Sequence, residues 1–237
     1  MCETEKNVFY PTILLIMNCR KYADKAQRQK DTWLQDVGNQ IPYYHVIGDT
    51  TLSTNWLFDE DERKLYVKTE DDYVSLPKKV VAAFEAVYCT YKFAFIFKTD
   101  DDQELFLNNI DIKKEEEGRN EETKQTTNFF QIVEKIVTNE MNQAHYGGYI
   151  VDVKQPYLSQ YHIIHPELPK NLPILSTKYC SGRFYFLSHS AIQDIVSKKN
   201  YIRKEYLEDY AIGYHLDQSF KTNMINLQTN KYLRDFT

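Results

Sequence analysis

The sequence contains no hydrophobic run that is long enough to cross a membrane. Its early apolar stretch, Pro11 to Met17, is far shorter than the roughly 20 residues that a spanning helix needs. No signal peptide is recognisable, because the chain begins with Met and a charged segment. We therefore expect a soluble, cytoplasmic protein, of viral or microbial type, with no membrane span.

An excess of basic residues is also missing. The chain has 29 Lys and Arg against 34 Asp and Glu, which gives a net charge of −5. Proteins that hold nucleic acid through a broadly basic surface have the opposite balance, so we expect no nucleic-acid partner. A local basic pocket for a phosphate group remains compatible with this charge.

Several recognisable patterns are absent as well. The four cysteines lack metal-binding spacing, and they allow two disulfides in three pairings or none at all. No Asn-x-Ser/Thr sequon occurs, which favours a protein that is not secreted. Neither a Walker loop, nor a Gly-rich dinucleotide fingerprint, nor a Ser-His-Asp arrangement is visible. The six histidines do not cluster, and we expect structural or solvent-facing roles for them.

The first half of the 237-residue chain shows strands alternating with helices, which is typical of a single α/β domain. Residues 52–61 are predicted as a loop or short helix, and the charged residues 111–128 as an exposed insertion or mobile loop. The predicted strands are Val8–Met17, Tyr43–Ile47, Lys64–Lys68 and Phe93–Phe97, and the predicted helices are Ala23–Trp33 and Leu76–Tyr91.

The second half continues this alternation around a proline-rich segment, residues 156–176. Its prolines indicate an irregular lid or substrate-facing loop. The other predicted elements are a helix over Phe129–Val137, a strand opening at Tyr146–Tyr149, an apolar segment over Tyr179–Ser188, a helix over Ser190–Val196 begun by a Ser cap, and a helix over Tyr206–Leu216.

The apolar run Ala94 to Phe97 leads, through Lys98 and Thr99, into three consecutive aspartates. Adjacent carboxylates repel one another unless a cation lies among them, and Mg²⁺ and Mn²⁺ prefer such oxygen ligands. Ligands of open α/β sheets bind beyond the carboxyl ends of strands. We therefore predict a metal-dependent site for a phosphate-bearing substrate at Asp100, Asp101 and Asp102, with an ordinary solvated loop as the alternative. Asp100 and Asp102 point the same way if the chain stays extended.

Three further segments carry candidate site residues. Ser181 and Gly182 form a small pair that allows a close approach of backbone to ligand, although an ordinary turn has the same composition. Asp209 and its neighbour Glu208 stand at a predicted helix start, where acids often only cap the helix. Near the first strand, Arg28 and Lys30 can hold a phosphate or decorate a helix face.

Taken in order, these segments resemble the inverting β-1,3-glycosyltransferase family, which includes the β-1,3-galactosyltransferases, the core-1 galactosyltransferase and Fringe. The order and spacing agree from about residue 10 to residue 216. The segments that carry the resemblance are Arg28-Gln-Lys-Asp-Thr-Trp33, Phe97-Lys-Thr-Asp-Asp-Asp102, Tyr179-Cys-Ser-Gly182, and Glu208-Asp209 with Gly213.

The resemblance implies a GT-A fold with a Rossmann-like mixed central sheet, a UDP-sugar donor, Mn²⁺ or Mg²⁺, and a glycan or glycoprotein acceptor. It implies that Asp102 ligates the metal, together with Asp100, and that Asp209 is the catalytic base. It also implies that Arg28, Lys30, Asp100, Asp101, Ser181 and Gly182 lie at the nucleotide sugar. A fragment from the Golgi lumen that lacks its anchor is the alternative localisation.

The chain departs from the family in two motifs. The family usually has another small residue after the segment that ends at Gly182, whereas Arg183 and Phe184 follow here. The family usually carries a second metal-ligating His well downstream of the base, whereas no His follows His215 here. This departure motivates the alternative of a catalytically weak nucleotide- or glycan-binding module. A nucleotidyltransferase also uses paired aspartates after a strand, but the Glu208-Asp209 and Tyr179-to-Gly182 segments favour the glycosyltransferase.

Overall fold

The structure is a computed structural model that describes residues 8–37, 41–105, 129–139 and 143–236. The predicted mobile segment 111–128 lies outside the described residues. The strands are β1 (Phe9–Met17), β2 (Tyr43–Gly48), β3 (Trp56–Asp59), β4 (Lys64–Val67), β5 (Lys92–Asp100), β6 (Gln103–Leu105), β7 (Tyr146–Val153), β8 (Tyr157–Leu158), β9 (Pro173–Ile174), β10 (Thr177–Ser188), β11 (Ile225–Asn226) and β12 (Leu233–Asp235).

The helices lie between these strands and cover the sheet. They are α1 (Ala23–Asp31), α2 (Leu34–Val37), α3 (Leu76–Thr90), α4 (Phe129–Val137), α5 (His189–Ser197), α6 (Lys199–Ile202) and α7 (Glu208–His215). Within the described ranges, no helix is long and apolar enough to cross a membrane.

Eight strands form one mixed sheet in the order β11-β7-β10-β5-β1-β2-β4-β3. Strands β5, β1, β2 and β4 run parallel, while β10 is antiparallel to both β5 and β7. Residues 13–16 of β1 are fully buried, as expected for a central strand that is covered on both faces. The predicted α/β architecture is confirmed.

The two faces of the sheet have separate apolar cores. On one face, Ile13 and Leu15 pack with residues of α3, α5, α6 and α7, including Phe84. On the other face, Leu14 and Phe97 pack with residues of α2 and α4. Alternate residues of β1 thus serve opposite cores, and α7 is held on the same face as α3.

Most predicted elements are confirmed, and three predictions are wrong. Residues 56–59 form an edge strand paired with β4, because a tight hairpin with Arg63 at φ 53° returns the chain. The first helix ends at Asp31, where the Thr32 hydroxyl donates to the carbonyl of Arg28 at 2.7 Å. The cap of α5 is Ser188, whose hydroxyl accepts from the Ala191 amide, so this helix begins before Ser190.

Two other expectations change. The proline-rich segment is only partly irregular, since it contains the short antiparallel pair β8 and β9. Cys19 and Cys180 are both free, which makes the two-disulfide alternatives wrong. Cys89 is disulfide-bonded, so the alternative of no disulfide is wrong as well.

Helix α7 crosses β10 at Gly213. A Cβ atom added to Gly213 would lie 2.7 Å from the Tyr179 Cα, and still closer to its Cβ. Only glycine therefore allows the helix to approach the strand this closely, which fixes the depth at which the start of α7 meets the sheet.

We expect Gly213→Ala to lower the free energy of unfolding by about 1–3 kcal/mol, because the added methyl group overpacks the contact with Tyr179. Urea unfolding measures the change. A glycine-to-alanine substitution inside a helix normally stabilises it by about 1 kcal/mol. Equal or increased stability of the variant would therefore show that the contact is loose.

Candidate active site

The three aspartates lie at the carboxyl-terminal edge of the sheet, where β5 ends. The chain does not stay extended there: Asp101 and Asp102 form a turn, and the Asp101 amide donates to the carbonyl of Met17 at 3.0 Å. The turn joins the end of β5 to the end of β1. The condition for Asp100 and Asp102 to face the same way, a chain that stays extended, is therefore not met.

Asp101 is the internal member of the three. Its side chain accepts a hydrogen bond from Asn18 Nδ2 at 2.8 Å, and Lys25 Nζ lies 3.7 Å from its other oxygen. Burial raises the pKa of Asp101 to about 7, although Lys25 favours the charged form. These contacts indicate that the Asp101 side chain stabilises the turn by binding to Asn18 and Lys25.

Asp100 and Asp102 are more accessible. Asp100 Oδ1 accepts from Lys98 Nζ at 2.7 Å, and burial raises the pKa of Asp100 to about 6 despite that cation. Asp102 Oδ1 accepts from Gln103 Nε2 at 2.7 Å, and its carbonyl accepts from the Phe236 amide. Both carboxylates are partly exposed at the sheet edge.

Lys98 connects the aspartate turn to the rest of the site. Its ammonium group is fully buried and donates to Asp100 Oδ1, to Glu208 Oε2 at 3.0 Å and to the Gly182 carbonyl at 2.8 Å. Burial disfavours the charged form, but the adjacent carboxylates outweigh it and raise the Lys98 pKa. One cation therefore holds together three segments that are distant in sequence.

Glu208 and Asp209 begin α7, as predicted, and they have different environments. Glu208 is buried between Lys98 and the hydroxyl of Tyr185, which donates to it. Asp209 is partly exposed, and its two oxygens accept from the backbone amides of Gly182 at 3.0 Å and Tyr210 at 2.7 Å. Burial raises the pKa of both carboxyl groups. Glu208 is thus a structural partner, whereas Asp209 faces accessible space with an increased affinity for a proton.

An irregularity in β10 explains the Ser181–Gly182 segment. The pairing of β10 with β7 shifts between Cys180 and Tyr185. There the Gly182 amide donates to Asp209 and its carbonyl accepts from Lys98. A Cβ at Gly182 would lie 3.5 Å from Lys98 Nζ and 3.6 Å from Asp100 Oδ2, so any larger side chain would enter the space between the charged groups.

The two basic candidates on α1 lie apart from each other. Arg28 extends over the ring of Phe236, with its guanidinium carbon 4.1 Å from the ring centre, and lies 3.7 Å from Glu104. Lys30 donates to the carbonyl of Glu62 at 2.8 Å and lines a cavity between α1 and strands β2 and β4. Arg28 is not among the lining residues of this cavity.

The cavity has a volume of about 250 Å³ and a polar wall that includes His45. His45 Nε2 bonds to Gln29 Oε1 at 3.0 Å, while the buried Nδ1 has no hydrogen-bond partner. Burial, together with the charges of Lys30 and Lys64, lowers the pKa of His45 to about 3, so the ring is neutral. A buried ring that bonds to Gln29 has the structural role expected of the histidines, and His45 also lies in the cavity wall.

The sequence analysis also missed the Lys79–Asp71 ion pair beside the cavity. Asp71 accepts from Lys79 Nζ at 2.6 Å and from the Gly48 amide at 2.8 Å, and Lys79 donates to the carbonyl of Asn18. These bonds tie together the ends of β1 and β2. The available signal was a lysine on the apolar face of a helix, next to Val80.

Three tyrosine side chains lie near Asp209. Burial is the main cause that raises the pKa of Tyr73, Tyr161 and Tyr179, and the negative charge of Asp209 is the second cause. Tyr73 also stacks on His165, with 3.7 Å between the ring centres. Aromatic faces of this kind suit the apolar faces of sugar rings.

The galactosyltransferase family model matches residues 25–227. The chain belongs to the galactosyltransferase family. The match spans both the aspartate turn and the start of α7, so the enzyme is a glycosyltransferase with the GT-A-like fold that the sequence predicts. A comparison with individual curated proteins gave no significant match.

The residues of this galactosyltransferase-family site suit a divalent cation that is shared with a substrate. Among the described residues, no three His, Cys, Asp or Glu side chains converge as a complete metal-binding group. Mg²⁺ sites at phosphate substrates use one or two carboxylates and complete their coordination with phosphate oxygens and water. Asp100 and Asp102 offer such a partial set of oxygen donors. Burial raises the pKa of Asp100 and Asp101, and the negative charge of Asp102 adds to that effect.

We expect Lys98→Met to lower the free energy of unfolding by about 3–5 kcal/mol, because the buried Glu208 and the adjacent, partly exposed Asp100 would lose their shared cation. Thermal or urea unfolding checks this. Lys178→Met is the matched control, since Lys178 lies 3.7 Å from Asp152 at an exposed position and should change stability by less than about 1 kcal/mol. Similar losses in both variants would contradict the role of Lys98.

His45 should make the transferase less stable in acid. Its folded pKa of about 3 lies below the unfolded value near 6.5, so the unfolded chain binds the extra proton as the pH falls. This contribution to stability is complete above about pH 6.5 and decreases by about 2 kcal/mol at pH 5. Urea unfolding at pH 7 and pH 5 should show a smaller acid loss for His45→Gln. Equal losses would mean that the ring protonates in the folded state.

Proposed function

We propose that the enzyme transfers a sugar from a UDP-sugar to a hydroxyl group of a glycan or glycoprotein, with inversion at the anomeric carbon. One observation carries this proposal. The aspartate turn and Asp209 lie at the same edge of the sheet and are joined through Lys98 and the Gly182 peptide. A β-1,3 linkage is the linkage that the family resemblance favours.

The cavity beside α1 is the proposed site of the nucleoside. Its wall offers the neutral His45 ring, whose Nδ1 lacks a partner, and the cations Arg20, Lys30 and Lys64. Asn18 lines the cavity and also bonds to Asp101, so the cavity adjoins the aspartate turn. The diphosphate would then extend from the cavity towards Asp102. The guanidinium of Arg28, 45% exposed, is available to it on the far side of α1.

Asp102, with Asp100 beside it, would hold Mn²⁺ or Mg²⁺ at the diphosphate. When bound, the cation neutralises the negative charge that develops on the departing UDP. The chain contributes the orientation: Lys98 fixes Asp100, and the Phe236 amide fixes the backbone of Asp102. Ser181 and Gly182 leave room for the sugar because neither has a bulky side chain.

Asp209 is the proposed general base. Two backbone amides hold its carboxylate in place, and its raised pKa favours accepting the proton of the acceptor hydroxyl. The hydroxyl oxygen forms the new bond to the anomeric carbon as the bond from that carbon to the UDP oxygen breaks. A single displacement inverts the configuration and requires no covalent sugar–enzyme intermediate.

The tyrosines next to Asp209 form the proposed acceptor side. Tyr73, Tyr161 and Tyr179 are close enough to the base for its charge to raise their pKa, and Tyr161 is half exposed. Stacking of a sugar ring on such faces would present one hydroxyl group to Asp209.

We expect Asp209→Asn to reduce sugar transfer by about 10²–10⁴-fold, because an amide cannot accept the proton. UDP affinity, measured by calorimetry with Mn²⁺ present, should stay nearly unchanged because the base acts on the acceptor. Transfer is measured as UDP release in a screen of UDP-glucose, UDP-galactose and their N-acetyl forms.

Asp152→Asn provides the control for this measurement. Asp152 is an exposed carboxylate on β7, so its substitution removes the same charge as Asp209→Asn but away from the start of α7. It should retain wild-type transfer. If Asp209→Asn transfers sugar at a near wild-type rate, Asp209 is not the base.

A further inference from the structure

The C-terminal strand β12 brings an additional carboxylate to the aspartate turn. It pairs antiparallel with β6, and the pairing sets Asp235 opposite Gln103. Next to this pair, the Phe236 amide donates to the Asp102 carbonyl at 2.7 Å. Asp235 is therefore held beside Asp102 by backbone hydrogen bonds, although 133 positions separate them in the numbering.

Two carboxylate oxygens converge on the side-chain nitrogen of Gln103. Gln103 Nε2 donates to Asp102 Oδ1 at 2.7 Å and to Asp235 Oδ1 at 2.9 Å. The nitrogen thus marks a point where a positively polarised group is shared by two acids. Mg²⁺ binds oxygen at about 2.1 Å, so only a small contraction of this arrangement would let both oxygens reach one ion.

The other end of the same amide has no partner. Gln103 is 3% exposed, and its Oε1 is buried without a hydrogen bond. Buried polar atoms are nearly always satisfied, and an exception often marks the place of an ion or water. Rotating the amide by half a turn exchanges its nitrogen and oxygen. Oε1 would then face the point where the two carboxylates converge, an orientation that a cation among the three oxygens would stabilise.

We propose that Asp235 and Gln103 Oε1 join Asp102 as ligands of the divalent cation, and that the Gln103 amide turns over when the cation binds. This inference rests on the proposed function, which supplies the cation at Asp102. Two carboxylates and one amide are all oxygen donors, the type that Mg²⁺ and Mn²⁺ prefer.

Arg183 accounts for the position of Asp235 before the cation binds. Its Nη2 donates to Asp235 Oδ1 at 2.9 Å, and its Nη1 donates to the Leu233 carbonyl at 3.4 Å. The guanidinium therefore orients the carboxylate and fixes the end of β12. When the cation takes Oδ1, the second oxygen of Asp235 is free to keep the ion pair with Arg183.

Binding of Mn²⁺ in the presence of UDP tests the inference without measuring transfer. The electron paramagnetic resonance signal of free Mn²⁺ gives the dissociation constant for the wild type and each variant. We expect Asp235→Asn and Gln103→Met to weaken Mn²⁺ binding by about 10–100-fold. Asp102→Asn should weaken it at least as much.

Asp152→Asn is the control. Asp152 is an exposed carboxylate on β7 that lies 3.7 Å from Lys178. The substitution removes one negative charge outside the two-stranded sheet of β6 and β12 and should leave the Mn²⁺ affinity unchanged. Asp235→Asn decides the result if Gln103→Met fails to fold, since the Asp235 side chain is 65% exposed and its amide has the same shape.

The outcomes separate the inference from the proposed function. If Asp235→Asn binds Mn²⁺ as tightly as the wild type while Asp102→Asn loses binding, Asp235 is no ligand and the proposed cation site at Asp102 stands. An equal loss in Asp152→Asn would also overturn the inference, because the loss of one negative charge anywhere on the surface would then explain the weaker binding. If the wild type binds no Mn²⁺ in the presence of UDP, both the inference about Asp235 and Gln103 and the proposed metal-dependent function fail.

Discussion

The buried ammonium of Lys98 is the interaction on which the site depends. It neutralises Asp100 and Glu208 and also bonds to the Gly182 carbonyl. Without this cation, the buried Glu208 and the partly exposed Asp100 would repel each other where the end of β5 meets the start of α7. Because Gly182 also donates to Asp209, the same cation indirectly positions the proposed base. The Lys98 ammonium group therefore contributes both to the stability of the fold and to the position of the proposed base.

The site has two sides that are built by different parts of the sheet. The parallel strands β1, β2 and β4, together with α1, enclose the cavity with His45 in its wall. The antiparallel strand β10 and helix α7 present Asp209 among tyrosines. The aspartate turn after β5 lies between the two sides. This arrangement fits a donor on one side, an acceptor on the other and the charged leaving group between them.

The sequence was sufficient to locate β5, the acids after it and the acids that start α7, because hydrophobic runs and helix starts are local patterns. It could not reveal the contacts between them. In the sequence, Lys98 is only a polar residue at the end of a predicted strand. Its contact with Glu208 could not be predicted because the two residues are 110 positions apart. The bond between Gln103 and Asp235 spans 132 residues. Edge strand β3 was missed because its few apolar residues stand among acids and a hairpin supplies its pairing.

The anomeric configuration of the released or transferred sugar tests the central claim most directly. The claim is that Asp209 activates an attacking hydroxyl for one displacement at the sheet edge. An α-linked UDP-sugar is incubated with the enzyme, and proton NMR records the product before its anomers interconvert. The single displacement proposed here gives the β anomer first. An α product at the first time point would contradict the account, since retention requires a different arrangement of groups at the reacting carbon.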